Sequence, residues 1–173
     1  LGDLIFIGGV HGVGKGTICR EICKQTNLVH ISASEVLKWS EISNLTNKRV
    51  DNIQDTQDRL IVGLTKVIEE NKSYLLDGHF CLFNSSESVE KVPIRIFEKI
   101  APRLIAVVTT DVALIKKRLE KRDGKTYSLD LLECMQNTEK IYAKEISLAI
   151  RIPFVEVKNG DCTNLIKVIT NLY

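Results

Sequence analysis

A glycine run broken by one lysine is the part of this sequence most able to do chemistry: Gly8-Gly9-Val10-His11-Gly12-Val13-Gly14-Lys15-Gly16-Thr17. Five glycines fall within nine residues, between an apolar run and a segment of helical spacing. Holding a phosphate requires successive backbone N–H groups to point inward, and glycine allows the necessary dihedrals without a Cβ clash. A helix starting near Lys15 adds unpaired amides and the positive end of its dipole. Lys15 supplies a mobile cation for the outer phosphates. The usual phosphate-loop pattern puts Ser or Thr directly after the lysine, whereas here Gly16 follows and the hydroxyl comes one place later at Thr17. The alternative is a glycine-rich strand-to-helix turn without a ligand, which the lysine and the strand-end position argue against.

Other reactive types are sparser. Arg118 and Arg122 sit at i and i+4, on one face of a helix leading into a loop. With Lys116, Lys117, Lys121 and Lys125 they form a basic cluster that suits either a triphosphate or RNA, the triphosphate being the simpler reading. Cys19 and Cys23 also stand at i and i+4, spacing that fits a metal or a redox pair. No second pair of ligands lies nearby in sequence, so core packing is expected instead. His11 occupies a position the loop pattern leaves free. Trp39 can stack on a base or cover the core edge.

These groups need elements to carry them. Leu4 to Ile7, Val29 to Ile31, Tyr74 to Leu76, Leu104 to Val108 and Phe154 to Val157 read as five strands, three of them nearly unbroken in hydrophobicity. Between them, Ile18, Cys19, Ile22 and Cys23 mark one helix face, and Leu60, Leu64, Val67 and Ile68 another. Val112, Ile115 and Leu119 follow a capping Asp111, and Leu132, Met135, Ile146 and Ile150 belong to a longer helical region. Strand and helix alternate, which predicts an α/β fold: one parallel sheet with helices on both faces in three layers. Phe83 to Val92 and Lys121 to Ser128 read as turn-rich.

The 173 residues carry 24 basic and 22 acidic side chains, a formal charge of +2, too balanced to advertise a nucleic-acid surface. With 44% apolar and 27% charged residues the chain reads as an ordinary globular one, long enough for a core without staples. A single domain over residues 1–173 is expected. No run approaches the ~20 apolar residues of a membrane span, and nothing reads as a signal peptide. The start at Leu1 suggests a trimmed initiator. Five cysteines, an odd count without paired metal spacing, suit a reducing cytosol.

The form Gly9-x-x-Gly12-x-Gly14-Lys15-Gly16-Thr17 resembles the phosphate loop of the adenylate kinase superfamily of nucleoside monophosphate kinases. Asp55-Thr56-Gln57, Leu76-Asp77-Gly78-His79, Ile96-Phe97-Glu98-Lys99-Ile100-Ala101-Pro102 and Leu114-Ile115-Lys116-Lys117-Arg118-Leu119 extend the likeness, closest to the compact archaeal-type and atypical adenylate kinases. The resemblance implies a phosphate-loop NTPase fold with a five-stranded parallel sheet, ATP and Mg²⁺ as cofactors, and transfer to a nucleoside monophosphate, with AMP the first guess.

It further implies that Gly12, Val13, Gly14, Lys15, Gly16 and Thr17 hold the ATP triphosphate, with Thr17 near the metal. Asp77 would orient water on Mg²⁺, unless it merely caps the next turn. Arg118 would bind the nucleotide, and Lys15, Arg122 and Asp77 would serve catalysis. An acceptor segment of about 32–70 begins with Ser32-Ala33-Ser34-Glu35-Val36-Leu37-Lys38, which resembles the stretch touching the monophosphate. Ser32, Lys38 and His79 are the acceptor candidates. Lys38 stands where an arginine is usual, so a point charge replaces a bidentate fork. His79 serves either the acceptor or a hydrogen-bonded turn. A short lid of about 122–129 lacks cysteines for a zinc clip, and incomplete closure would admit water and ATP hydrolysis. The alternative is therefore an ATPase switch acting on a protein partner, with monophosphate transfer weak or lost.

Overall fold

The structure, a computed structural model, describes residues 3–40, 53–83 and 88–172, and their side chains except at 38–40, 53–57 and 83. In chain order the described elements are β1 (Leu4–Gly8), α1 (Lys15–Gln25), β2 (Val29–Ser32), α2 (Ala33–Ser40), α3 (Ile53–Val67), β3 (Tyr74–Asp77), β4 (Cys81–Phe83), β5 (Val89–Lys91), α4 (Ile94–Ile100), β6 (Leu104–Thr109), α5 (Val112–Asp123), α6 (Leu129–Ala149), β7 (Phe154–Lys158) and α7 (Thr163–Leu172).

Consecutive apolar residues can all leave water only in a strand covered on both faces. β1 and β6 are buried along their whole length, and they lie side by side in a five-stranded parallel sheet of order β2-β3-β1-β6-β7. The parallel α/β expectation is met, with the phosphate-loop NTPase architecture. The connection leaving β1 runs through α1 to the edge strand β2, whereas the other side of β1 is filled by β6. That reversal of strand order opens a crevice at the carboxyl end of β1, where ligands of such sheets bind.

Alternation along β1 sends Ile5 and Ile7 to one face and Phe6 to the other. Phe6 meets Phe80 and Phe97 at ring-centroid distances of 5.1 and 5.2 Å, and those two rings stack at 5.6 Å. All three are buried. Gly8 is required here by packing: a Cβ at this position would lie 2.2 Å from the Phe80 ring. Asp111 caps α5 as expected, its carboxylate accepting the Ala113 amide at 2.7 Å.

One stretch departs from the sequence reading. At the start of the turn-rich region and within it, β4 and β5 pair antiparallel as a separate two-stranded ribbon, Cys81 opposite Lys91. Strands of three residues leave too short an alternation to detect, and the ribbon is fixed from outside: Tyr142 on α6 donates its hydroxyl to the Val92 carbonyl at 2.6 Å. No helix among the described residues is long and apolar enough to cross a membrane.

Because the Phe80 ring fills the space beside Gly8, Gly8→Ala should lower stability by about 1–3 kcal/mol through overpacking. The urea midpoint checks this; an unchanged midpoint would show that the ring yields freely.

Candidate functional site

The loop between β1 and α1 curls through three glycines with left-handed-side dihedrals, Gly9 at φ 147°, Gly12 at 78° and Gly14 at 108°. Gly12 also lies so close to Leu119 that a Cβ would sit 2.9 Å from its Cγ. Gly14 is the N-cap of α1, with no side-chain cap and no acidic residue in the first turn. The positive end of the helix is thus left open to an anion.

Lys15, the first residue of α1, is buried and folds back over the loop, donating to the Gly9 carbonyl at 2.6 Å and the Val10 carbonyl at 3.3 Å. Burial holds its ammonium below the ordinary lysine value, opposed by the charges of Glu139 and Asp77. Two neutral carbonyls are weaker partners for an ammonium than phosphate oxygens. A second cation grips the loop: Arg118 Nη1 donates to the Gly12 and Val13 carbonyls, both at 3.1 Å. Arg122 turns to its neighbour instead, clamping Asp123 through Nε at 2.6 Å and Nη2 at 2.8 Å. That pairing, with a Tyr127 hydroxyl bond, holds the Asp123 carboxyl well below its usual range. Thr17 is exposed, its Oγ1 accepting from Arg20 at 3.2 Å.

Two cavities meet at this loop. One of about 280 Å³ is lined by Gly12, Gly14, Lys15, Gly16, Arg118 and Arg122, with Asp77 and His11. The other, about 330 Å³, also reaches Lys15, Asp77 and His11, then extends past Ser32, Ser34 and His79 to apolar walls including Leu37, Leu60 and Ile96. Ser32 and Ser34 share a hydroxyl hydrogen bond of 2.9 Å. The acceptor candidates Ser32 and His79 are therefore brought together, and Lys15 and Asp77 border both spaces. Lys38 falls on α2 with its side chain outside the described residues, as do the side chains of Trp39 and of Asp55-Thr56-Gln57.

Asp77 ends β3 and accepts a hydrogen bond from, or shares one with, His30 Nε2 at 2.6 Å across the β2–β3 pair. A carboxylate and a hydroxyl are the oxygen donors a hard cation takes, so Asp77 and Thr17 fit Mg²⁺ in chemical type. His79 packs its ring on His11 at 4.2 Å. Burial, then the charge of Lys15, lowers its pKa to about 3, so it stays neutral. Its Nδ1 makes no aligned hydrogen bond, although Glu139 Oε1 lies 3.4 Å away.

Glu139 is the residue the sequence reading missed. Fully buried on α6, it accepts the Phe80 amide at 3.1 Å and the Cys81 amide at 3.3 Å. It thereby ties the segment after β3 to α6 and sets a carboxyl near Lys15. Burial pushes its pKa up to about 7, against the pull of the Phe80 amide and Lys15. The signal was present: Glu139 interrupts an apolar stripe formed by Leu132, Met135, Tyr142, Ala143 and Ile146.

A family profile described as AAA domain matches residues 8–136. The adenylate kinase of Sorangium cellulosum (strain So ce56) is 27% identical over 141 residues, covering 73% of this chain and 65% of that protein. The chain thus spans just under two thirds of that relative's length. UMP-CMP kinase 2 of Caenorhabditis elegans is 30% identical over 86 residues, 44% of this chain and 45% of that one. Among solved structures, a gluconokinase from Sinorhizobium meliloti 1021 aligns with a TM-score of 0.57 at 13% identity, covering 99% of this chain and 95% of that chain, a likeness of fold. These relatives support a distant relationship to nucleoside monophosphate kinases; the compact archaeal-type likeness stands on the sequence motifs alone.

An acid whose folded pKa exceeds its unfolded value binds a proton on folding between the two, so Glu139 makes folding less favourable as pH rises from about 4.5 to about 7. His79 and His11, each with a folded pKa of about 3, act oppositely between about 3 and 6.5; both folded imidazoles are already neutral across pH 4.5–7, so their effect drops out of the difference between the two proteins. The Tm of Glu139→Gln minus that of wild type should therefore climb across pH 4.5–7 and then level. A difference flat with pH would contradict the buried carboxyl's raised pKa.

Proposed function

This chain belongs to the AAA-domain family, and on that premise we propose that it transfers the terminal phosphoryl group of ATP to a nucleoside monophosphate, with AMP the first candidate. The observation that carries the reading is the junction of two cavities at Lys15 and Asp77, one floored by the glycine loop, the other walled by apolar residues able to hold a base. A site that only hydrolysed ATP would need no second chamber.

In this reading the loop amides from Gly12 to Thr17 and the open end of α1 bind the triphosphate. Lys15 exchanges the Gly9 and Val10 carbonyls for phosphate oxygens, which keeps its buried ammonium charged. A phosphate oxygen of the acceptor attacks the γ-phosphorus as the bond to the β–γ bridging oxygen breaks, giving ADP and a nucleoside diphosphate with no covalent enzyme intermediate. Thr17 and Asp77 would hold Mg²⁺, the latter through water, and that ion would supply charge neutralisation on the phosphates. Arg122 leaves Asp123 to reach the transferring group, and Arg118, by fixing the Gly12 and Val13 carbonyls outward, keeps the amides pointing in. Ser32 and His79 face the acceptor, and Lys38 is assigned to its phosphate by sequence alone. The lid of about 122–129 closes over both. Catalysis is positioning and charge neutralisation.

A second reading, an ATPase switch governing a protein partner, is favoured by one feature: Lys38 in place of an arginine and His79-Phe80 after Asp77-Gly78 leave the acceptor side short of guanidinium groups. Product analysis separates the two. Diphosphate formed only when a monophosphate is present supports transfer, and free phosphate released without acceptor supports the switch. In either case Lys15→Ala should cut turnover about a hundredfold or more while the circular dichroism spectrum is unchanged. Undiminished turnover in that variant would remove the site from the loop.

A further inference from the structure

The helix face that read as core packing in sequence meets a histidine and a carboxylate in space. α1 lies over the β2–β3 pair, and Cys19 from α1, His30 from β2 and Asp77 from β3 each bring one ligand atom within 4.8 Å of the other two. Ser32 stands opposite Asp77 in the strand register, so His30, two residues earlier, shares its face. Cys19 is buried and the other two are partly buried, and Asp77 lines both cavities at the loop.

We propose that Cys19, His30 and Asp77 form a binding site for a zinc-type divalent cation, the fourth position of the ion being taken by water. Thiolate, imidazole and carboxylate together match zinc's preferred donors, and three protein ligands with one open position is a recurrent zinc arrangement. The sulfur disfavours Mg²⁺ and Ca²⁺, which take oxygen. His30 Nε2 and Asp77 Oδ2 are 2.6 Å apart. On a tetrahedral ion with bonds of about 2.0–2.2 Å two such ligands stand roughly 3.4 Å apart, so this pair opens by under about 1 Å, while the sulfur, within 4.8 Å of both, closes by at most about 1.3 Å. Binding exchanges the Cys19 thiol proton for the metal–sulfur bond, releases that proton to solvent, and breaks the His30–Asp77 hydrogen bond. The ion would also claim a carboxylate that both cavities use; that consequence for turnover rests on the phosphoryl-transfer reading, whereas the binding does not.

Cobalt(II) reports the site without nucleotide. The full chain, carrying Cys134→Ser to remove the exposed thiol, is titrated with Co²⁺ and then Zn²⁺. Expected are one equivalent bound, a near-ultraviolet thiolate-to-cobalt band, and its bleaching by zinc. Cys19→Ser should abolish the band, Cys23→Ser should keep it, and His30→Asn should weaken affinity at least about tenfold. His30 is only partly buried, so that variant carries the test should Cys19→Ser unfold. No thiolate band, a band surviving Cys19→Ser, or unchanged affinity in His30→Asn overturns the proposal. Loss of ATP turnover in every preparation, with cobalt still bound as described, would count against the kinase reading and leave the metal site standing.

Discussion

A buried ammonium has to be kept charged and kept free to move, and the rest of the site is arranged around that constraint. Lys15 loses most of its water, which by itself favours the neutral amine. The charges of Glu139 on α6 and Asp77 at the end of β3 oppose that shift without an ion pair to the ammonium among the described residues, and the Gly9 and Val10 carbonyls accept its hydrogen bonds. A direct ion pair with either would lock the lysine away from a ligand. Carbonyls on a curled glycine backbone hold it more loosely. The curl in turn depends on left-handed-side dihedrals at Gly9, Gly12 and Gly14, and on Arg118, which donates to the Gly12 and Val13 carbonyls.

The scaffold explains why these parts converge. Reversal of strand order at β1 opens the crevice, and the chain places its glycine loop there. Gly8 lets the Phe80 ring close against β1, and the same segment delivers His79 and the Phe80 and Cys81 amides to Glu139. Core packing and site geometry therefore share residues. Two chambers share one cation and one carboxylate, Lys15 and Asp77, at their junction.

Local patterns made much of this legible before any coordinates. The unbroken run Leu4 to Ile7 means a doubly covered strand, Asp111 before Val112 a cap, and the glycine spacing before Lys15 a curled loop running into a helix. Each depends on neighbours in sequence. What stayed hidden depends on neighbours in space. Glu139 looks like a solvated acid until its position in an apolar stripe is noticed, and its partners lie 58 and 59 residues away. His30 meets Asp77 only through the pairing of β2 with β3, and Cys19 joins them only because α1 crosses that pair. The β4–β5 ribbon was too short for alternation to register. Arg118 and Arg122 were found by spacing, but spacing could not tell that one grips the loop and the other its own neighbour.

The most direct test is a crystal structure of the chain with Mg²⁺ and a non-hydrolysable ATP analogue. The account predicts the β- and γ-phosphates within hydrogen-bond distance of the amides between Gly12 and Thr17, and Lys15 Nζ moved from the Gly9 carbonyl onto a phosphate oxygen. A triphosphate bound elsewhere, or a loop left empty at saturating analogue with Lys15 still on Gly9, would contradict it.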